Sequence, residues 1–472
     1  MNIARSGDHC RWSASVTVLL AVLFGTQVLV AQATPTGRNI LFIAVDDLRN
    51  WVGYNSDYAG TVYTPHIDAL AAESTRYLNA YTSVPQCTGS RTTIMLGQSP
   101  GTHRITRASF GTGDSAYNAI YNNPELVSLP EVMSANGYYS AASGKVFSNP
   151  LPERWDEQGP TTLLAELFDG FDPQVDNTFL SASVTPANTL HPDQLVANWS
   201  SEFVARYNSS QPFFLAVGFY LPHIPWDVPQ WAYDLYPIQD VVVHTPLAAD
   251  MTDEPLAARA LADAPIFAPP LTQYDLVQLA GRAAKYTQAY LASVSHTDAM
   301  VGQLLTALNN SPNATNTDVI FWSDNGFHLG EKFHWRKNTL WEQAARVPLL
   351  VRSTGNPGYP PRDVSEPVSL LDLAPTVLDL AGLPPFSQFE GVPLHDAANR
   401  GPVEIFFNNG RATLVNGFKI IDYDIHALPS ITDMAAYWLE FDPGETNNLI
   451  LPLLAAIMKC QARSTGCTTH VQ

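Results

Sequence analysis

Positive charge is in short supply. Lys and Arg total 25 against 44 Asp and Glu, which leaves a formal charge of -19. A chain so acidic repels a phosphate backbone instead of releasing its counterions, which excludes a nucleic-acid partner. It also repels a free anion, so any anion site must be a local cluster of cations, metal and backbone donors. Long apolar runs are lacking too. The one from Val16 to Val30 is shorter than the roughly 20 residues that span a bilayer. No later segment has transmembrane character, so no stable membrane insertion is expected. Internal repeats and low-complexity tracts are absent.

Cysteine is scarce, with 4 in 472 residues. Arg5 and Arg11 precede the apolar run, and Ala31-Gln32-Ala33 follows it with the small-x-small form of a signal-peptidase site. Residues 1–33 are therefore expected to be a removed signal peptide, and the protein secreted or periplasmic. Cys10 leaves with that leader, and an odd set remains: Cys87, Cys460 and Cys467. In an oxidising compartment the neighbours Cys460 and Cys467 are expected to form a disulfide, leaving Cys87 unpaired. At this point Cys87 is either a thiol kept for chemistry or a small buried hydrophobe.

Hydrophobic residues make up 46% and aromatics 11%, ample for a globular core. Four short β-rich apolar runs end abruptly in polar residues: Ile40 to Val45 before Asp46-Asp47, Tyr138 to Ala142 before Gly144-Lys145, Phe213 to Phe219 before His223, and Val319 to Trp322 before Asp324-Asn325. Continuous apolar strands suit a sheet covered on both faces, and such sheets bind ligands beyond the carboxyl ends of their strands. Helices are expected from Pro65, capped by Thr64, to Ala72, over Ser128 to Ala135 with a Ser128/Glu131 capping box, and over Pro192 to Tyr207, Tyr286 to Leu308 and Leu371 to Ala381. This alternation predicts an α/β fold with a doubly wound, mostly parallel central sheet. Strands over Phe418 to Tyr423 and Tyr437 to Phe441 and a helix over Leu451 to Arg463 predict a smaller C-terminal α+β unit. The expected domains are a leader at 1–33, a catalytic domain at 34–395 and a C-terminal subdomain at 396–472.

Asp46, Asp47, Asp324 and Asn325 offer only hard oxygen ligands, which suit Ca2+ or Mg2+ and not zinc; calcium is the better fit for an exported protein. Cys87-Thr88-Gly89-Ser90-Arg91 reads as a turn entering a helix, where a cysteine with an arginine one turn on is suited to carry an anion or a reactive oxygen.

From Arg38 to Leu449 these blocks resemble the sulfatase family of the alkaline-phosphatase-like superfamily, especially its iduronate-sulfatase-like and choline-sulfatase-like branch. Asn39 to Asp47 resembles the metal-binding opening strand, Cys87 to Pro100 the signature around the modified cysteine, Gly144 to Phe147 the lysine block and Leu221 to Pro225 the Pro-His block. Ser323 to Pro348 resembles the second metal block, and Ser369 to Pro384 and Asp442 to Glu445 the late family text. The resemblance implies that Cys87 is oxidised to formylglycine (3-oxoalanine) by a formylglycine-generating enzyme and serves as the nucleophile on sulfur. It implies one Ca2+ on Asp46, Asp47, Asp324 and Asn325. It further implies that Arg91 and Lys145 stabilise the nucleophile, that His223 is the acid for the leaving alcohol and that Lys337 binds sulfate, the substrate being a sulfated small molecule or carbohydrate.

The chain departs from the family at Gly89, where proline or alanine is usual and where glycine is expected to loosen the turn. It departs at Ser148, in place of a histidine, at Leu96, in place of a threonine, and at Leu221, in place of a lysine beside the substrate. His328 and His334 are candidates to compensate. Two other readings stay open: a non-catalytic binding protein on this fold, and a phosphate or phosphonate monoester hydrolase.

Overall fold

Strand β1, Asn39–Asp46, is buried along its whole length. Alternate side chains of an extended strand face opposite ways, and those of β1 enter two separate cores. Leu41, Ile43 and Val45 join one, Ile40, Phe42 and Ala44 the other. The computed structural model describes residues 36–453 except 107–114, 162–179, 181, 187–188, 248–249, 263–270 and 426–429. The expected leader, Cys460, Cys467 and the expected C-terminal helix beyond Leu453 lie outside the described residues.

Strands β2 (Tyr139–Gly144), β3 (Phe213–Pro222) and β4 (Thr317–Ser323) complete the centre of an eight-stranded sheet. They stand in the order β4-β1-β3-β2, every neighbouring pair parallel. The strand Leu349–Arg352 pairs antiparallel on the far side of β4, so the sheet is mostly and not wholly parallel. Helices α1 (Pro65–Ala72), α4 (Pro192–Arg206) and α5 (Ala283–Asn309) cover one face. Helices α2 (Cys87–Leu96), α3 (Leu129–Ala135) and α6 (Leu373–Ala381) cover the other. This is the doubly wound architecture the apolar strands predict.

Local signals behave as expected at two helix ends. Glu131 accepts from the Ser128 backbone N–H at 2.8 Å, closing the capping box of α3, and Gly382, with φ 68°, ends α6 in the left-handed region. The Thr64 cap does not form. Its hydroxyl accepts from Gly53 N at 2.7 Å, and Asp298 of α5 reaches across to accept from Ile67 N at 2.8 Å. A tertiary carboxylate thus satisfies the orphan donors of α1 that a local cap was expected to take.

The C-terminal part forms a four-stranded antiparallel sheet, Val403–Phe407, Gly410–Val415, Phe418–Asp422 and Met434–Trp438 in that order. The last strand lies earlier than the expected Tyr437 to Phe441. Asp442 N bonds back to Trp438 O at 2.9 Å and the Phe441 ring packs on Trp438 at 4.4 Å, so the apolar residues after Trp438 belong to a turn. The sheet shares a core with Tyr81, Val84, Leu340 and Trp341. Behind that core Lys419, fully buried, bonds Glu445 at 2.8 Å and Glu342 at 3.0 Å, while Glu445 accepts from Glu342 N at 2.7 Å. Removing the lysine would leave two buried carboxylates facing each other. Lys419→Met is expected to cost about 3–5 kcal/mol, read as a lower urea midpoint; an unchanged midpoint would show that the ion pairs add nothing.

Candidate active site

The carboxyl ends of β4, β1, β3 and β2 place Asp324-Asn325, Asp46-Asp47, His223 and Lys145 side by side. Consecutive residues of a strand normally diverge, yet Asp46 and Asp47 both serve the site. The register shifts after Val45 and Asp47 takes φ 62°, a left-handed conformation that aspartate tolerates better than most residues. Tyr290 of α5 holds this bend, donating to Asp47 O at 2.8 Å and accepting from Arg49 N at 2.9 Å.

One oxygen each from Asp46, Asp47 and Asp324 lie within 4.8 Å of one another, all three residues fully buried. Asn325 donates to Asp47 Oδ1 at 2.6 Å through its amide nitrogen, which leaves its own carbonyl oxygen as an acceptor. Among the described residues, Asp46 Oδ1, Asp47 Oδ2 and Asn325 Oδ1 are buried without a hydrogen-bond partner. Buried oxygens are seldom left so, and a set of hard oxygens fits Ca2+. The electrostatics agree. Burial pushes Asp324 up to about 7, with Asp46 and Asp47 adding to it against Arg91. Burial pushes Asp46 the same way but is overcome, Lys145 first, so that it stays well below the usual carboxylate range.

Three cations close around the acids. Arg91 gives its Nε to Asp324 Oδ2 at 2.8 Å and another nitrogen to Val146 O at 3.1 Å. Lys145 pairs with Asp46, and Lys337 pairs with Asp47. Burial works to lower both lysines, but their carboxylate partners and then Cys87 overcome it and raise them, so both stay charged. Cys87 is the first residue of α2 and partly exposed, with no disulfide. Gln86 caps the helix by accepting from Gly89 N at 3.2 Å and sets its amide 3.3 Å from Cys87 Sγ. The expected turn into a helix and the expected proximity of Arg91 are both present.

His223 lies with Nε2 3.8 Å from Asp47 Oδ2 and Nδ1 2.6 Å from Ile224 O. Because the carbonyl takes the Nδ1 proton, Nε2 faces the site. Burial takes His223 down to about 4, outweighing the pull of Asp47, so the free site holds a neutral ring. All nine residues expected from the sequence therefore meet in one place: Cys87, Arg91, Lys145, His223, Lys337, Asp46, Asp47, Asp324 and Asn325.

The departures resolve differently from their expectation. Gly89 does not loosen the turn: a Cβ there would stand 2.7 Å from Val84 Cγ1 and 2.8 Å from Ile105 O, so the turn is packed around the glycine. Leu221 is fully buried in the core. Neither histidine compensates for Ser148. His328 bonds Thr339 at 2.7 Å, and His334 sits 2.9 Å from both Ala262 O and Lys337 O, which braces the loop that carries Lys337. Among the described residues Ser148 Oγ is buried without a hydrogen-bond partner. Sequence reasoning missed Gln86, Tyr290 and Tyr220, whose ring lies 4.8 Å from His223 and 5.1 Å from Lys145 Nζ. Tyr290 acts on Asp47 and Tyr220 on Lys145, both far away in sequence, whereas Gln86 was within reach as the residue that caps the helix of Cys87.

The Sulfatase family model matches residues 38–383. A "Sulfatase" of Formosa agariphila is 34% identical, the match covering 82% of this chain and 79% of that one. Mouse iduronate 2-sulfatase is 26% identical over 90% of each chain. A solved structure in complex with its substrate D-glucosamine-2-N,6-O-disulfate superposes with a TM-score of 0.68 at 18% identity, over 91% of this chain and 96% of that one, which shows the shared fold. With the family model spanning most of its length and relatives alike across the greater part of both chains, this protein belongs to the sulfatase family, the sulfuric ester hydrolases of the alkaline-phosphatase-like superfamily.

Proposed function

We propose that the chain cleaves its sulfate ester with a formylglycine formed from Cys87, beside one Ca2+ held by Asp46, Asp47, Asp324 and Asn325. The observation that carries this reading is the convergence of three orphaned carboxyl or amide oxygens and three buried cations around a partly exposed cysteine. Calcium on those oxygens supplies a Lewis acid for the sulfate group. Formylglycine supplies, as its hydrate, a hydroxyl nucleophile that a thiol cannot replace.

The protein's own groups do the rest. The α2 N-terminus and Arg91 direct positive potential at position 87. Lys145 and Lys337, kept charged by their carboxylates, stand where an anionic sulfate oxygen needs neutralising. His223 presents Nε2 to the leaving oxygen. An arriving sulfate adds negative charge beside its ring, raises it from about 4 and favours the proton it donates. Ser148, a neutral hydroxyl, accepts and donates hydrogen bonds but does not relay a proton near neutral pH. One of the relatives named above is an iduronate 2-sulfatase and the neighbouring structure holds its substrate, a glucosamine disulfate; the substrate proposed here is correspondingly a sulfated carbohydrate or small alcohol. A maturation partner, the formylglycine-generating enzyme, acts before or during export, and residues 1–33 are the export signal.

The deciding experiment is peptide mass spectrometry of the native protein. A carbonyl at position 87 is expected, while a fully intact thiol in protein that still hydrolyses sulfate esters would overturn the mechanism. Chelation is expected to abolish turnover and to lower the melting temperature, since a ligand at 100 times its Kd contributes about 2.7 kcal/mol. Full activity in strong chelator would remove the metal assignment. His223→Ala is expected to slow alkyl sulfates by roughly 10²–10⁴-fold and p-nitrophenyl sulfate far less, because a good leaving group needs no proton. Equal losses on both would refute the acid role.

A further inference from the structure

A second group of ligating side chains lies behind the active site and takes no part in the chemistry above. His191, Asp193 and His296 are 6%, 0% and 2% exposed, and one ligating atom from each falls within 4.8 Å of the others. His191 and Asp193 open α4, and His296 comes from the middle of α5. The two imidazoles stand edge to face with centroids 4.9 Å apart. Two rings on one tetrahedral ion, with metal–nitrogen bonds of about 2 Å, keep their centroids roughly 5 Å apart.

Two of the three side chains have capacity left over, and the third can exchange one bond for another. His191 Nδ1 accepts from Asp193 N at 3.1 Å, which places the ring proton on Nε2, so a bound ion takes the Nδ1 lone pair in place of that bond. His296 Nδ1 is buried without any hydrogen-bond partner among the described residues. The Asp193 oxygens accept from Tyr220 N at 2.8 Å and Leu221 N at 2.9 Å, one bond each, which leaves a lone pair on both. No Lys or Arg among the described residues forms an ion pair with this carboxylate; its recorded side-chain neighbour is His191, at 3.9 Å. A buried carboxylate without a cation and a buried imidazole nitrogen without a donor or acceptor are each costly, and one cation satisfies both.

We infer that His191, Asp193 and His296 form a binding site for a borderline transition-metal dication, zinc foremost, distinct from the calcium site. Two imidazoles and one carboxylate select zinc-like ions over calcium, which takes oxygen ligands. Burial keeps both rings neutral, His191 at about 3 and His296 at about 4, which is the ligating form of imidazole. The ion ties α4 to α5 directly behind Tyr220 and Leu221, the residues that lead into Pro222-His223. Its role is to fix that segment. Trp231, stacked on His296 at 6.2 Å and 44% exposed, roofs the site toward solvent.

The test is zinc binding by the full calcium-loaded protein at saturating calcium, with the metal content measured after gel filtration. The wild type is expected to retain one zinc per chain and to melt at a higher temperature with it. His296→Phe is expected to lose that zinc, weakening binding by more than tenfold, whereas Asp324→Ala keeps it. His191→Asn, which preserves a side-chain acceptor for the first turn of α4, is expected to lose it too and decides the matter if the phenylalanine variant does not fold. In place of zinc, Co2+ is expected to show visible absorption that both histidine variants lack. Zinc content equal in wild type and folded histidine variants, or no zinc in the wild type, would overturn the site and leave the cluster as a proton-sharing core pair.

Discussion

Three carboxylates sealed from water within 4.8 Å of one another cannot all remain ionised without compensating positive charge. That constraint organises the molecule. Parallel strands deliver Asp46, Asp47 and Asp324 to one edge, and the same edge must then gather Arg91, Lys145 and Lys337 from three separate segments. Each cation is itself buried, and the two lysines stay charged against that burial through the acids they face and, after them, Cys87. Acids and cations are thus mutually dependent, and the sheet beneath them, apolar on both faces, provides the rigid bed on which neither set can drift.

Much of this was legible in the residues because the signals were local. Apolar runs such as Ile40 to Val45 show no alternation, which identifies a doubly covered sheet before any coordinate is known. Polar residues at the ends of four such runs identify the crevice. The capping box at Ser128 is a pattern of two residues and forms as read. The Thr64 cap fails because its competitor, Asp298, lies on a helix more than two hundred positions away. The last strand shifts because Trp438 and Phe441 imitate strand composition while packing on each other in a turn.

The site was legible as a set of residues and not as a set of contacts. His328 and His334 sit near Lys337 in sequence, but both rings are spent on carbonyl and hydroxyl partners that brace its loop. Gly89 illustrates the same limit from the other side. In isolation glycine signals freedom, whereas here Val84 and the Ile105 carbonyl occupy the space a side chain would need. The buried pair His191 and His296 could not be read at all, since neither lies in a motif and only the packing of α4 on α5 brings them together.

The burial of α2 has a consequence for the order of events in the life of the chain. Every residue from Thr88 to Leu96 is buried in the finished fold, leaving only Cys87 partly open at the helix start. An enzyme that recognises the text around Cys87 needs that text extended and within reach, and the native state offers neither. Long-range links keep the window open during synthesis: the Glu342 backbone waits for Glu445, 103 positions later, and Asp324 must come back to Arg91 across 233. Contacts so distant in sequence close late. If Cys87 is converted to formylglycine as proposed, the unfinished chain is the form that is modified, and a variant that folded faster around α2 would be better packed and less active.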